Sequence, residues 1–506
     1  MKSSRVFLFL FLAAFAAAAQ TNTNNVATRP MSLQDCLQQA LRQNFDVQIQ
    51  RYNPQISLYN LHAAYSGWDP TFNISGQHNY DVSPSRFNSS FTNQTPATVS
   101  DANTFNSGLT GTLPLSGLQY TFSGNLAEQY GNQDGLPFDS AFGNVGVTLT
   151  QPLLKNFWID STRLNIRVAK NRLKYSEQGL RLQLITSVTA VANAYYELIF
   201  AQQNVAVQQE ALDLAQTQLD QDKQRVQIGT LAILSVQQDE SQVAQAKANL
   251  IAAQSTLDTD QNTLKNLLTD NYSKAHDVDI QPTATLEAPL RTFDLQESWN
   301  KGLTERPDLL QAKLNVEQQG IQLKYYRNQL FPELDLIGSY GFNGASSGFN
   351  SANAQYDPTI DQIGSGNAPY YSYGAQLIMP LGNVGPRNQY KSTKATLQQV
   401  LLQLKQLEQN VMVEIDNAVK TAQSNYESVQ ATRQARIYAE AALDAEQKTY
   451  AVGKATTFEV LQYQNNLTAA RSAEIRALAN YVEALAALAQ QEGTTLDQYH
   501  VNLEAK

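Results

Sequence analysis

The chain repeats one pattern twice along its length. Residues 33–76 align without a gap onto residues 295–338, at an offset of 262. In each copy a helical apolar pattern stops at a proline, Pro70 in the first and Pro332 in the second, and an alternating pattern follows. An internal repeat of this size predicts two similar halves within one elongated protomer.

The later part of each half is a long stretch that has no proline in the first half and one proline, Pro386, near its start in the second. It runs from Pro152 to Gly229 (77 residues) in the first half and from Pro380 to Gly453 (73 residues) in the second, a difference close to one helical turn. About 70 helical residues would form a rod of roughly 105 Å. Apolar residues recur every seven positions in the first stretch, which predicts coiled-coil-like packing and also fits an ordinary antiparallel hairpin. They are Leu184, Val191, Leu198, Val205, Leu212, Leu219 and Val226.

Other segments alternate apolar with small polar residues and are predicted to be strands. One apolar and one small polar face is typical of strands between lipid and a water-filled lumen, but a soluble sheet over a core gives the same pattern. Residues 109–113 and 118–126 flank a turn at 114–117 and predict an additional hairpin, whose place in the sheet stays open. The four main alternating segments are 72–82, 145–150, 334–342 and 371–379.

The N-terminus carries an export signal. Lys2 and Arg5 precede an apolar run and small residues, which predicts a secretory signal peptide over residues 1–19. The 36 basic and 45 acidic residues give a net charge of −9 without a basic block, which argues against nucleic acid as a partner. The single cysteine, Cys36, excludes an intramolecular disulfide. No later segment is expected to offer the ~18 apolar residues of a membrane helix, so a membrane-spanning form would use strands.

Counting these strands implies an assembly of several chains. Four strands are too few to close a barrel, for which about eight are needed. Open sheet edges are not tolerated in lipid. Three identical chains would supply twelve strands, an even number of the kind seen in membrane barrels.

From about Met31 to Gln490 the chain resembles the TolC-like outer-membrane efflux proteins. The resemblance is carried by the duplicated helix–proline–strand unit, the two tip turns at Gly229 and Gly453, and the strand–helix junctions. It implies an α+β membrane protein: a homotrimer whose twelve-stranded outer-membrane β-barrel, about four strands per chain, continues into a long periplasmic α-helical coiled-coil barrel. The junctions are Pro70, Pro152, Pro332 and Pro380.

The function implied by this resemblance is that of a passive exit duct. Such a duct belongs to a tripartite efflux or type I secretion system and works with a periplasmic adaptor protein and an inner-membrane transporter. It lies in the outer membrane, contacts lipid, and needs no catalytic residue, cofactor or metal. The exported substrate is not readable from the sequence.

The resemblance also assigns roles to residues at the tips. Tyr450 matches a tethering tyrosine and Glu459 the first acidic gate position, while Gln462 stands where a second acid is often found. Ser235 replaces an acidic tether partner, which implies a weakened latch closed by a Tyr450–Ser235 hydrogen bond. The plainer alternatives are a Tyr450 packed at the helix seam and a Glu459 that is a solvated helix-start carboxylate. Adaptor contacts are expected at Arg225, Gly229, Thr230, Lys448, Gly453 and Lys454.

The repeat sets the expected domain boundaries and leaves one main rival. The rival is a secreted or periplasmic coiled-coil structural or adaptor protein without a pore, although adaptors carry one helical hairpin where this chain has two. An enzyme is disfavoured, since G-x-S-x-G at 344–348 falls in a predicted loop. The expected divisions are signal peptide 1–19, linker 20–30, first repeat 31–270 with strands over 70–151, linker 271–292, second repeat 293–492 with strands over 333–380, and tail 493–506.

Overall fold

Two long helical hairpins and one antiparallel sheet account for most of the chain. The computed structural model describes residues 27–87, 94–133, 136–348 and 356–501, so the predicted signal peptide lies outside the described residues. The helices are α1 (Leu33–Gln43), α2 (Phe45–Tyr65), α3 (Ser161–Gln227), α4 (Ile233–Leu268), α5 (Tyr272–Ala275), α6 (Leu295–Glu305), α7 (Pro307–Asn328), α8 (Tyr356–Ser365), α9 (Val384–Ala451), α10 (Thr457–Glu492) and α11 (Thr495–Gln498).

The duplication predicted from the sequence is visible in the helix boundaries. α1 and α6 both have 11 residues, and each ends at a residue with extended backbone. These are Asn44 (φ −63, ψ 127) and Arg306 (φ −61, ψ 124), which correspond at the offset of the repeat. Asn44 then caps α2, because its side chain accepts from the N–H groups of Asp46 and Val47. Pro307 opens α7, where a missing N–H costs nothing.

The two rods are nearly equal in length. α3 has 67 residues and α9 has 68, so each is about 100 Å long at 1.5 Å per residue. The difference in proline-to-glycine spacing is therefore not a helical turn, and that interpretation is wrong. Residues 153–160 connect Pro152 to α3, whereas residues 381–383 connect Pro380 to α9.

The heptad residues of α3 form the main hydrophobic core. Leu184, Val191 and Leu198 are buried together with residues of α1 and α4, and the remaining heptad positions are buried or half-buried.

By length and composition, α3 contains one 18-residue stretch that is apolar enough to cross a membrane, so the expectation that no such segment exists is wrong. In the folded chain 61% of that stretch is buried, because α3 forms the core of a helical hairpin.

The sheet has six strands where about four were expected. Its order is β10-β9-β7-β6-β5-β2, and every neighbouring pair is antiparallel. The additional hairpin, β5 and β6, lies between β2 and β7 and supplies the two extra strands. The strands are β1 (Ala27–Met31), β2 (Thr71–Ser83), β3 (Arg86–Phe87), β4 (Gln94–Thr95), β5 (Thr98–Thr112), β6 (Gln119–Gln133), β7 (Leu136–Pro152), β8 (Val278–Pro282), β9 (Glu333–Gly348) and β10 (Pro369–Ile378).

Outside the main sheet, β1 and β8 form a parallel pair beside the hydrophobic core. Both strands come from segments predicted to be linkers, and the domain boundaries themselves stay predictions. The fully buried Tyr195 of α3 joins the two strands: its hydroxyl donates to the carbonyl of Met31 (3.1 Å) and accepts from the N–H groups of Thr283 (3.1 Å) and Ala284 (3.3 Å).

We expect Tyr195→Phe to lower the free energy of unfolding by about 0.5–1.5 kcal/mol, because it removes the hydrogen bond to the Met31 carbonyl and the acceptor of the Ala284 N–H, while the Thr283 N–H keeps its bond to Met31. Chemical denaturation of the purified protein measures this change. Tyr196→Phe is the matched control, because the described residues offer no hydrogen-bond partner to that half-buried hydroxyl. Equal losses in the two variants would contradict the role assigned to Tyr195.

Candidate functional site

The two helical hairpins end in equivalent turns. Gly229 (φ +79) follows α3 and Gly453 (φ +77) follows α9, so both adopt the left-handed conformation that favours glycine. No atom lies within 4 Å of a Cβ added at either glycine, and backbone conformation rather than crowding therefore requires them. Equivalent backbone hydrogen bonds close the two turns: Thr230 N–H to Arg225 O (2.9 Å) and Lys454 N–H to Thr449 O (3.1 Å), with a second bond from the N–H of each glycine (3.0 Å).

A buried carboxylate ties the first tip to the second. Tyr450, in the last turn of α9, is 6% exposed, and its hydroxyl lies 2.6 and 2.7 Å from the two carboxylate oxygens of Asp222 on α3. Asp222 also accepts from the Thr457 hydroxyl at the start of α10 (3.1 Å) and from the Gln218 amide one turn earlier in α3 (3.1 Å). Three helices therefore meet at one carboxylate.

Arg225 completes this tether. Its guanidinium carbon lies 4.5 Å from the centroid of the Tyr450 ring, a cation–π distance. The same group is 4.0 Å from the Asp222 carboxylate, at the limit of an ion pair. Burial, and then the hydrogen bond with Asp222, raise the pKa of Tyr450, so the phenol stays a donor. Arg225, expected to contact an adaptor, is thus already part of the contact between the tips.

The expected Tyr450–Ser235 hydrogen bond is not formed. Ser235 is half-buried, and its backbone N–H bonds to Ala232. The acid that meets Tyr450 is Asp222, at the end of α3 instead of the start of α4, so the expectation of a weakened latch without an acidic partner is wrong. A signal was present in the sequence: Asp222 lies three residues after the heptad residue Leu219, at a seam position where an acid is unusual.

A second buried acid, Asp239 of α4, lies next to the tether. It is 0% exposed, and neither of its carboxylate oxygens has a hydrogen-bond donor among the described residues. Burial, and then the charge of Asp222 and a hydrogen bond with it, raise the pKa of Asp239 to about 7. In its protonated form Asp239 can donate a hydrogen bond to Asp222, so the buried pair carries one negative charge instead of two. Asp239 likewise lies three positions after Val236, the first of a series of apolar residues that recurs every seven positions in α4 and continues with Val243, Leu250, Leu257 and Leu264.

The predicted gate acid Glu459 acts as a helix cap in the single chain. Its carboxylate accepts from the N–H of Thr456 (2.7 Å) and from the Thr456 hydroxyl (2.9 Å), which in turn accepts from the Glu459 N–H (3.3 Å). These hydrogen bonds hold the pKa of the exposed Glu459 carboxyl below its usual value. The amide of Gln462, also exposed, donates to Asn466 (3.1 Å). Their gate roles stay predictions.

The tips also expose a group of apolar side chains that the sequence reasoning missed. Thr230, Lys448 and Lys454, expected to contact an adaptor, are exposed around it. Large apolar side chains held in water on fixed turns are typical of a surface that binds another protein. They are Ile228, Ile233 and Leu234 at the first tip and Val452 and Phe458 at the second.

At the opposite end of the rods, the four junction prolines lie where strands meet helices. Pro70 and Pro332 directly precede β2 and β9, Pro152 ends β7, and Pro380 follows β10. The two halves are linked there by Asn328, whose side chain accepts from the Asn156 N–H (2.8 Å) and donates to the Leu154 carbonyl (3.2 Å).

The G-x-S-x-G match at 344–348 lies inside β9, not in a loop. A nucleophile of that type needs a strand–turn–helix setting, which this position does not have.

The two faces of the six-stranded sheet differ in chemistry. On one face, paired residues form an apolar row: Phe72, Leu109, Phe122, Val147, Tyr340 and Tyr371. On the other face the neighbouring row carries only hydroxyl groups: Thr71, Thr110, Thr121, Thr148, Ser339 and Ser372. Apolar side chains on an outer face and small polar ones on the inner face are the arrangement of a barrel in lipid.

Comparison with known proteins identifies related sequences. A family model described as outer membrane efflux protein matches residues 117–269 and 300–494, one segment in each half. Outer membrane protein TolC of Salmonella enteritidis is 26% identical over 284 residues, which cover 56% of this chain and 56% of that protein. TolC of Vibrio cholerae is 25% identical over 390 residues, covering 75% of this chain and 84% of that protein. The chain thus spans little more than half the length of the Salmonella relative.

A solved structure shares the fold. The outer membrane protein VceC from Vibrio cholerae matches with a TM-score of 0.64 at 18% identity, covering 91% of this chain and 96% of that one. This likeness confirms the expected α+β fold class.

The buried acid pair predicts a pH-dependent stability. Folded Asp239 keeps its proton up to about pH 7, whereas the unfolded carboxyl ionises near pH 4. The folded state therefore binds more protons between about pH 4 and about pH 7, and stability falls as pH rises through this window.

We expect Asp239→Asn to reduce that pH dependence, as measured by the thermal unfolding midpoint from about pH 5 to about pH 8; a slope remains because burial also raises the pKa of Glu483 to about 7. Asp220→Asn, an exposed acid on α3, is the control and should keep the wild-type slope. If the slope were the same in Asp239→Asn and in the wild type, the buried proton would be ruled out.

Proposed function

This chain belongs to the outer membrane efflux protein family, and we propose on that basis that it forms the outer-membrane exit duct of a tripartite efflux or type I secretion system. The duct is a passive conduit from the periplasm to the exterior. The observation that supports it best is the pairing of an exposed apolar row on one face of the sheet with a hydroxyl row on the other. The chain is accordingly an outer-membrane protein.

A trimer completes the duct in this proposal. β2 and β10 are the two edges of the six-stranded sheet, and each has one side without a strand partner among the described residues. In lipid such edges must pair, because each unsatisfied backbone group costs several kcal/mol. The rods have the same need, since two hairpins cannot enclose a channel by themselves. Identical copies around one axis satisfy both requirements.

The tips are proposed to bind the periplasmic adaptor, which connects the duct to an inner-membrane transporter. They combine rigid glycine turns with exposed apolar side chains, including Ile228 and Phe458. The rival, a periplasmic adaptor or structural coiled coil without a pore, does not account for the apolar face that the sheet exposes. The function of the duct requires no chemistry of its own.

Charge at the tip glycines should abolish export. Gly229→Asp with Gly453→Asp keeps a residue type that tolerates the left-handed conformation, but places carboxylates in the apolar docking surface. Gly229→Asn with Gly453→Asn is the matched neutral control. We expect dye efflux from the native host to be lost only in the Asp variant, while outer-membrane fractions contain trimers of both. Wild-type efflux by the Asp variant would rule out docking at these turns.

In the trimer, Glu459 is proposed to attract cations at the periplasmic entrance. Glu459→Gln removes its charge and keeps the acceptor of the helix cap. We expect lower cation selectivity and weaker block by multivalent cations in planar-bilayer recordings. Glu427→Gln, an exposed acid far along α9, is the control. Unchanged selectivity and block in Glu459→Gln would reject the role.

A further inference from the structure

We propose that this chain closes an eighteen-stranded barrel, three copies of a six-stranded sheet, instead of the twelve strands expected from its family. The β5–β6 hairpin is then part of the membrane wall, with one face in lipid and the other lining the lumen. The proposal rests on the proposed function, because it requires a trimeric barrel in a membrane.

The hairpin is paired along its whole length on both sides. β5 pairs with β2 from Thr98 to Thr110, and β6 pairs with β7 from Gln119 to Gln133. Its turn is well defined: the Leu113 N–H donates to the Leu118 carbonyl (2.8 Å), and Gly117 adopts φ +70. A surface loop merely resting on a complete barrel would not separate β2 from β7, as this hairpin does.

The hairpin continues the apolar face at the same height as its neighbours. Leu109 and Phe122 are opposite each other and lie between Phe72 of β2 and Val147 of β7. Phe122 is 50% exposed and Phe72 is 68% exposed in the single chain. An apolar row uninterrupted across all six strands needs lipid on that side of every strand, including those of the hairpin.

The hairpin continues the polar face as well. Asn106 of β5 and Asn125 of β6 are opposite each other and joined by a 2.6 Å hydrogen bond between their side chains. Their row extends to Asn144 of β7 and Asn343 of β9. In the hydroxyl row, Thr71 and Thr110 are 2.7 Å apart across the β2–β5 boundary. The wall of the lumen thus passes through the hairpin without a break.

The direction of the strands permits closure with a second copy. The six strands alternate in direction, so β10 runs opposite to β2. β2 of a neighbouring chain can therefore pair with β10 as the next antiparallel strand. The edges cannot pair within one chain, because six strands are fewer than the roughly eight that a barrel needs. Three copies then give eighteen strands.

A barrel of this size is open inside. Diameter grows roughly linearly with strand number, so eighteen strands give a width about 1.5 times that of twelve. Barrels of 16–18 strands leave an aqueous channel. The hydroxyl and asparagine rows carry no charge, and the charged residues on the same face include Asp81 of β2 and Asp335 of β9, both acidic.

Cysteine labelling in membranes tests the proposal strand by strand. In a Cys36→Ala background, Phe122→Cys on the lipid face should resist an aqueous maleimide and react with a lipid-soluble maleimide. Its neighbour Ser123→Cys, on the lumen face, should show the opposite behaviour. Val147→Cys and Thr148→Cys on β7 form the reference pair, which must alternate in any membrane barrel of this fold.

The outcomes separate the two proposals. If the β7 pair alternates and both β6 cysteines react with the aqueous maleimide, the hairpin lies outside the wall, and the eighteen-stranded barrel is overturned while the duct stands. If the β7 pair fails to alternate, the membrane duct itself is overturned. Imaging of the purified trimer in lipid nanodiscs supplies the count directly: eighteen strands support the proposal and twelve reject it.

Discussion

The hydrogen-bonding demand of the polypeptide backbone in lipid governs this structure. Within the membrane, water is not available to satisfy a strand edge, so a sheet must pair its first strand with its last. One chain supplies six strands, an even number, with edges that run in opposite directions. In the proposed duct, closure is therefore left to copies of the chain, and the long rods share that symmetry because short connections join them to the strands at Pro152 and Pro380.

At the other end of the rods, electrostatics takes the place of backbone pairing. A coiled-coil seam normally excludes charge, yet Asp222 and Asp239 both occupy seam positions and are buried. Tyr450, Thr457 and Gln218 surround Asp222 with donors. Separating the two tips would remove the hydrogen bonds of Tyr450 and Thr457 from this carboxylate and leave only that of Gln218 on the same helix, so the contact is more specific than apolar packing alone.

Much of the fold could be predicted because it is encoded in local pattern. The breaks at Asn44 and Arg306, the glycine turns and the heptads of α3 are each set by residues a few positions apart. The tether could not be predicted in this way: Tyr450 and Asp222 are 228 positions apart, and their contact depends on the register between two long helices. The place of the β5–β6 hairpin was undetermined for the same reason, because alternation specifies a strand but not its neighbours.

The place of the hairpin between β2 and β7 has a consequence for the width of the proposed pore. β2 runs toward the loop end of the sheet and β7 returns from it, so a hairpin inserted between them leaves the direction of every other strand unchanged. Neither strand has to shift its connection to the rods. In the proposed barrel, a hairpin added at this place widens the pore by two strands per chain and leaves the connections to the helical rods unchanged.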